Sequence, residues 1–310
     1  VGPEHTDALT RAQYHSVRRL AAELPADAVV LPTHGFGSFC AATPTSGTAS
    51  TIGEQAELNP ALTLDEQTYL ATLLAGLDAF PAYYAHMAPA NRRGPAPVDL
   101  SSPEPVDGRQ LRERIDAGEW VVDLRDRTAF AAGHLAGSLG FELSQPFVTY
   151  LGWTIPWGTP LTLIGESAEQ VAAAQRELVR IGIDRLAGAA IGDVRDLAGV
   201  EGLRAYPVRD FTDLADVLVR GPVHVLDARR HDERAAGAIA GSLHIPLHEL
   251  VDRVDELPEG ELWVHCASGY RASIAAAMLD RLGQRVVLID DAYEAARALG
   301  LEDQPVRAGR

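Results

Sequence analysis

The chain has 310 residues, of which 46% are hydrophobic and 23% charged, with a formal net charge of −16. That length accommodates two or three domains with cores of their own, and the composition excludes a disordered or fibrous chain. An acidic chain of this kind lacks the basic surface that nucleic acid or an anionic membrane requires, so any anion it binds is held by local charge.

In chain order, TDALTRAQYHSVRRLAAEL (6–24) predicts a helix and AVVLP (28–32) a strand. Thr33 to Thr51, rich in Gly, Ser and Thr, predicts a loop, and Thr63 to about Leu77 a second helix whose Asp65 and Glu66 suit a positive first turn. RRGPAPVDLSSPEP (92–105) holds four prolines and little apolar pattern, the mark of a linker. Beyond it the chain repeats itself. VVDLRDRTAFAAGHLAGSL (121–139) aligns without gaps on VLDARRHDERAAGAIAGSL (225–243) at an offset of 104, and LTLIGESAEQVAAAQRELVRIG (161–182) aligns on LWVHCASGYRASIAAAMLDRLG (262–283) at an offset of 101. The division that follows is 1–92, a linker over 93–105, a first copy over 106–203 and a second over 204–303. In the second copy VHVLDA, ELWVHC and RVVLID predict strands, while ASIAAAMLDRLG and AYEAARALG predict helices. Such alternation implies an α/β parallel sheet flanked by helices, with ligands beyond the carboxyl ends of the strands.

Cys266 falls where a strand ends and a helix begins, with Arg271 five residues later. A free thiol of pKa about 8.5 is mostly protonated at neutral pH, whereas a helix N-terminus or a nearby cation brings it into the range of roughly 3.5 to 7.5. CASGYRAS predicts a tight loop in which Gly269 permits an unusual turn and the amides from Ala267 to Arg271 point inward as a nest for an anion. Arg271 adds a full charge and a planar fork. A lone cysteine in apolar surroundings is ordinarily core; the loop and Arg271 favour a nucleophile. Ser268 and Tyr270 are placed at the mouth, and Ser273 within reach of a persulfide. Arg229 either binds substrate or pairs with Asp227 or Glu233 and props the loop. His265 points away from Cys266 by strand alternation. In the first copy Gly165 and Gln170 stand where Cys266 and Arg271 do, with Glu166 and Glu169 in the loop, leaving neither nucleophile nor cation.

The second copy resembles an active rhodanese domain over about residues 205–300. The resemblance is carried by LDARRHDE (Asp227, Arg229, Glu233), AGAIAGSLHIPL and the loop of Cys, four residues and Arg. It departs from the family pattern at Ala238, often a histidine, and at DDAYEAA, where a Gly-Gly-aromatic ending is usual. The resemblance implies a sulfurtransferase that needs no cofactor, with Cys266 carrying sulfur from thiosulfate or a thiol persulfide to cyanide, sulfite or a thiol. The roomier loops of cysteine phosphatases have five residues between Cys and Arg. A phosphatase or arsenate reductase is one alternative, and a non-catalytic scaffold for sulfur carriers is another. The first copy resembles an inactive rhodanese homology domain.

VVLPTHGFGSFCAATPTSG (29–47) and LLAGLDAFPAYYAHMAPANRRGP (73–95) resemble the end of the metallo-β-lactamase-like αββα domain of bacterial persulfide dioxygenase–rhodanese fusion proteins. The resemblance implies tandem rhodanese-like domains behind the C-terminal part of that domain. His34 matches the last histidine of the superfamily's metal centre, a remnant metal candidate, and Cys40 and His86 fall near the oxygenase site. The His-x-His-x-Asp-His signature is missing from the sequence. Two histidines and a carboxylate are needed for such an iron site, so iron is expected only in a full-length parent. Two cysteines make no disulfide framework, and no run of 18 apolar residues occurs. The expectation is a soluble cytoplasmic protein whose partners are small sulfur anions or thiol persulfides, with no nucleic acid or membrane; a homo-oligomer stays open.

Overall fold

The structure, a computed structural model, describes residues 3–31, 49–76, 81, 83–94, 97–199 and 202–303. It divides into two compact units, residues 1–79 and 80–310. In the first, helix α1 (Thr6–Glu23) precedes a short antiparallel pair, β1 (Val29–Val30) with β2 (Ser50–Thr51). Ser50 and Thr51 were expected in a loop, and the rest of that loop lies outside the described residues apart from Ala49. Thr51 starts α2 (Ile52–Leu58) with a capping box to Glu54. The helix expected from Thr63 to about Leu77 is α4 (Glu66–Ala75), and Thr63 instead ends a separate short α3 (Pro60–Thr63), with a break between them. The break has a local cause: the Asp65 carboxylate accepts from the Thr68 amide at 3.0 Å and caps α4, so the backbone must be extended there. Tyr14, Ala61, Tyr69 and Leu70 form the small core of this unit.

The second unit opens with α5 (Tyr84–Arg93), a helix the sequence pattern did not announce. The first copy follows as α6 (Gly108–Asp116), β3 (Trp120–Asp123), α7 (Arg127–Ala132), β4 (His134–Leu135), β5 (Leu139–Gly140), α8 (Phe147–Thr154), β6 (Leu161–Gly165), α9 (Ala168–Leu178), β7 (Gly188–Ile191) and α10 (Val194–Ala198). Its sheet is parallel in the order β5-β3-β6-β7. The end of the expected linker joins that sheet, since Pro105 bridges Ala189.

The second copy runs β8 (Leu203–Arg204), β9 (Val208–Arg209), α11 (Phe211–Arg220), β10 (His224–Asp227), α12 (His231–Ala235), β11 (Leu243–His244), β12 (Glu261–His265), α13 (Tyr270–Arg281), β13 (Arg285–Ile289) and α14 (Tyr293–Ala298). β8 pairs with β4 of the first copy; the other five strands form a parallel sheet, β11-β10-β12-β13-β9. The repeat is physical as well as textual. Arg125 pairs with Asp123 and donates to the Gly133 carbonyl at 2.8 Å, and Arg229 pairs with Asp227 and donates to the Gly237 carbonyl at 2.7 Å, the same contacts 104 residues on.

One apolar cluster runs through both copies, joining Phe130, Phe141 and Phe147 to Ile274, Met278 and Leu279. α13 sits within it, with every residue from Tyr270 to Asp280 buried, because its own sheet covers one side and α7 and β5 of the first copy cover another. Its run of alanines permits that close approach. The buried Asp280 accepts from Arg204 at 2.9 Å and faces the His134 ring at 3.1 Å, a polar pin between the copies. No described helix is long and apolar enough to cross a membrane.

Candidate active site

β12 delivers Cys266 at its carboxyl end, and alternation along the strand decides where the side chain goes. Leu262, Val264 and Cys266 join the shared cluster, whereas Trp263 packs into a separate cluster on the other face with Phe211 and Tyr293. Cys266 is a free thiol, 1% exposed. The chain then turns through Ala267, Ser268 and Gly269 into α13. Gly269 has φ +84°, and a Cβ there would lie 1.8 Å from Asp290 Oδ1, so both backbone conformation and space demand glycine. Asp290 is itself held by Arg127 of the first copy, whose Nε donates to it at 2.8 Å.

The amide ring is open. Among the described residues, none of the backbone N–H groups from Ala267 to Ala272 donates to a protein acceptor. Six consecutive unpaired donors around a helix N-terminus form a concentrated anion-binding surface. Ser268 is exposed and Ala267 partly so.

Arg271 is nearly buried and forks onto Glu233, with Nη2 2.7 Å from Oε1 and Nη1 on Oε2. Burial pulls its pKa down, but the Glu233 hydrogen bonds and the Cys266 charge more than offset this and leave it raised. Burial pushes Glu233 up, and Arg271 more than reverses that, leaving it lowered. The carboxylate of α12 thus holds the guanidinium beside Cys266.

Arg229 does not take the substrate-binding place offered to it. It is 2% exposed, bonded to Asp227 and the Gly237 carbonyl, and its guanidinium lies 3.6 Å from the centre of the Tyr293 ring. Its donors are spent bracing the turn after β10. Asp227 is pushed up by burial and pulled down further by Arg229, to about 2. His265 is fully buried, stacked on Tyr293 and 3.9 Å from Asp227, and burial pushes its pKa down to about 4. Ser273 spends its proton on the Tyr270 carbonyl at 2.7 Å, and Tyr270 donates its hydroxyl to the Glu142 carbonyl of the first copy at 2.7 Å.

The first copy therefore supplies a wall of this site, which sequence spacing did not show: Arg127, Glu142 and, on α8, Tyr150, whose ring lies 5.7 Å from that of Tyr270. Nothing local in the sequence marks them, because they reach the loop from more than a hundred residues away. At the corresponding place in the first copy itself, the loop is closed. Gln170 accepts the Glu166 amide at 2.7 Å and donates to the Leu124 carbonyl at 3.2 Å, and Ser167 accepts the Gln170 amide.

His34 and Cys40 lie outside the described residues, and His86 stacks on Trp157 at 4.2 Å. Among the described residues no three His, Cys, Asp or Glu side chains gather to hold a metal ion.

Three comparisons bear on this geometry. Residues 210–298 match the family model described as Rhodanese-like domain. The chain is 35% identical over 95 residues to the HTH-type transcriptional regulator Rv0324 of Mycobacterium tuberculosis, covering 29% of this chain and 42% of that protein. It is 36% identical over 67 residues to the "Putative sulfur carrier protein YrkF" of Bacillus subtilis, covering 21% and 36%. The chain thus spans about two fifths of the length of these curated relatives. A metallo-beta-lactamase structure from Staphylococcus aureus superposes with TM-score 0.52 at 23% identity, covering 62% of this chain and 53% of that one, a likeness of fold. The chain is a mixed α/β protein with a metallo-beta-lactamase structural neighbour, and Cys266, Arg271 and Glu233 lie within the segment that matches the Rhodanese-like domain model.

Proposed function

We propose that the chain is a sulfurtransferase working through a persulfide on Cys266, and that residues 106–203 are a second, inactive copy of the same domain. The observation that carries this reading is the run of unpaired amides from Ala267 to Ala272 directly after a free cysteine, with Arg271 held by Glu233. The Cys266 thiolate attacks the outer sulfur of thiosulfate. A bond from Sγ to that sulfur forms, the bond to the sulfonate sulfur breaks, and sulfite leaves with the electron pair. The charge now on the outer sulfur is held by the amides and Arg271. An acceptor lone pair, from cyanide, sulfite or a thiolate, then takes the outer sulfur, and the pair of the broken bond returns to Cys266. A thiol persulfide serves as donor in the same way, with the thiol leaving. No cofactor enters either step. The ligands of this reading are small sulfur anions and thiol persulfides, and its setting is the reducing cytoplasm. The repeated contacts of Arg125 and Arg229 support the tandem reading.

Incubation with thiosulfate is expected to make the protein heavier by one sulfur, cyanide to remove it as thiocyanate, and Cys266→Ser to abolish both. A wild-type chain inert to thiosulfate and to thiol persulfides refutes the reading. Hydrolysis of an aryl phosphate in their place would assign the phosphatase alternative.

A further inference from the structure

Tyr150 belongs to the first copy and faces the loop of the second. α8 sets its ring 5.7 Å from that of Tyr270, tilted by 39°, and packs it against the cluster that contains Cys266. The charges of Arg271, Cys266, Glu233 and Arg230 all reach its phenol. Three hydroxyls belong to the first turn of α13 and the ring packed on it, those of Tyr270, Ser273 and Tyr150. Tyr270 has committed its own to the Glu142 carbonyl and Ser273 its own to the Tyr270 carbonyl, whereas the Tyr150 hydroxyl has no hydrogen-bond partner among the described residues. Burial pushes its pKa above the ordinary phenol value, against the opposing pull of Arg271, so it keeps its proton and remains a donor throughout the neutral range. Arg271 has both terminal nitrogens on Glu233, which balances much of its charge and leaves an anion at Cys266 in need of a further side-chain donor.

We propose that Tyr150 touches the substrate of this site, its hydroxyl donating a hydrogen bond to the anionic sulfur donor docked at Cys266, so that the catalytically silent copy completes the active site of the other. This rests on the sulfurtransferase reading above. It also explains why an unreactive copy is held so closely: Arg127, Glu142 and α8 together fix the distance between Tyr150 and the loop.

The test is Tyr150→Phe in the full chain, which keeps the ring packed on Tyr270 and removes only the oxygen. Two rates are compared with wild type: sulfur loading of Cys266 from thiosulfate, read by intact mass and by kcat/KM for thiocyanate formation, and alkylation of Cys266 by neutral iodoacetamide. Loss of one hydrogen bond to an anion is expected to lower kcat/KM by about tenfold or more, with alkylation at the wild-type rate because that reagent carries no anion to bind. Loading at the wild-type rate overturns the proposal, and so does an equal slowing of loading and alkylation, which would mark Tyr150 as packing alone. A wild-type chain that takes no sulfur while iodoacetamide still alkylates Cys266 overturns the sulfurtransferase reading, and this proposal falls with it.

Discussion

Arg271 meets Glu233 through both terminal nitrogens, across 38 residues of chain and between two helices, α13 and α12. Charge-assisted forks of this kind fix orientation as well as energy. Glu233→Gln replaces the carboxylate with a neutral amide that accepts at one oxygen only and leaves a nearly buried guanidinium undercompensated. The expected outcome is a loss of about 1–3 kcal/mol in unfolding free energy, together with at least a tenfold fall in thiocyanate formation. Urea unfolding and steady-state assay of the same preparation check both, and an unchanged urea midpoint would remove the pair from the account of the loop.

Gly269 allows a second test, because two causes of its requirement can be separated. An alanine there bears the strain of φ +84° and also drives its Cβ into Asp290 Oδ1. Gly269→Ala is expected to destabilise the chain by about 1–3 kcal/mol and to abolish sulfur loading, since the amides no longer converge. Asp290→Ala in that background removes the side-chain collision, leaving the Asp290 Cα at 3.1 Å and the backbone strain, so stability is expected to return in part while loading stays low. Full recovery of loading in the double variant would show that the positive φ is not what aims the amides.

How much of this was legible beforehand depended on whether the cause was local. The strand ending at Cys266 and the helix after it could be read from an apolar run followed by an alanine-rich one. The loop amides followed from the position of Gly269. Ser273 and Asp280 share a side of α13 that would face water on an isolated helix, yet both are buried, and Asp280 meets His134 of the first copy there. Tyr150, Arg127 and Glu142 were invisible for the same reason. Even at short range the start of α4 was placed at Thr63, three residues early, since the Asp65 cap sets it at Glu66.

His265 gives a pH dependence with a definite sign. Burial holds its folded-state pKa at about 4, against an ordinary value of about 6.5 in the unfolded chain. Between those values the unfolded chain binds a proton that the folded chain does not. Stability is therefore present above about pH 6.5 and is lost as pH falls through the window, with no further loss from this group below about 4. From pH 7 to 4.5 the contribution amounts to about 2 kcal/mol. Asp227, 3.9 Å away, acts in a lower window, from about 4 down to about 2. Urea unfolding at the two pH values is expected to show a smaller difference in His265→Gln than in wild type; equal differences would mean that His265 is protonated in the folded chain.

The first copy offers a converse experiment, in which residue types are restored without restoring room. A Cβ at Gly165 would lie 2.8 Å from Val171 Cγ2 and 3.2 Å from Gln170 Oε1, and the side chain of Gln170 already occupies the Glu166 amide. Gly165→Cys with Gln170→Arg, made in a Cys266→Ser background, removes the glutamine but not the valine. Position 171 corresponds to Ala272 in the second copy at the offset of 101. The double variant is expected to take up no sulfur from thiosulfate and to lose about 1–3 kcal/mol to overpacking. Adding Val171→Ala clears the contact, and alkylation at position 165 is expected to rise with it. Glu166 and Glu169 would still repel an anion, so sulfur uptake should stay below that of Cys266 until both are neutralised. Uptake by the double variant alone, with Val171, Glu166 and Glu169 still in place, would show that neither steric closure nor charge silences this copy, leaving the missing cysteine and arginine as the cause.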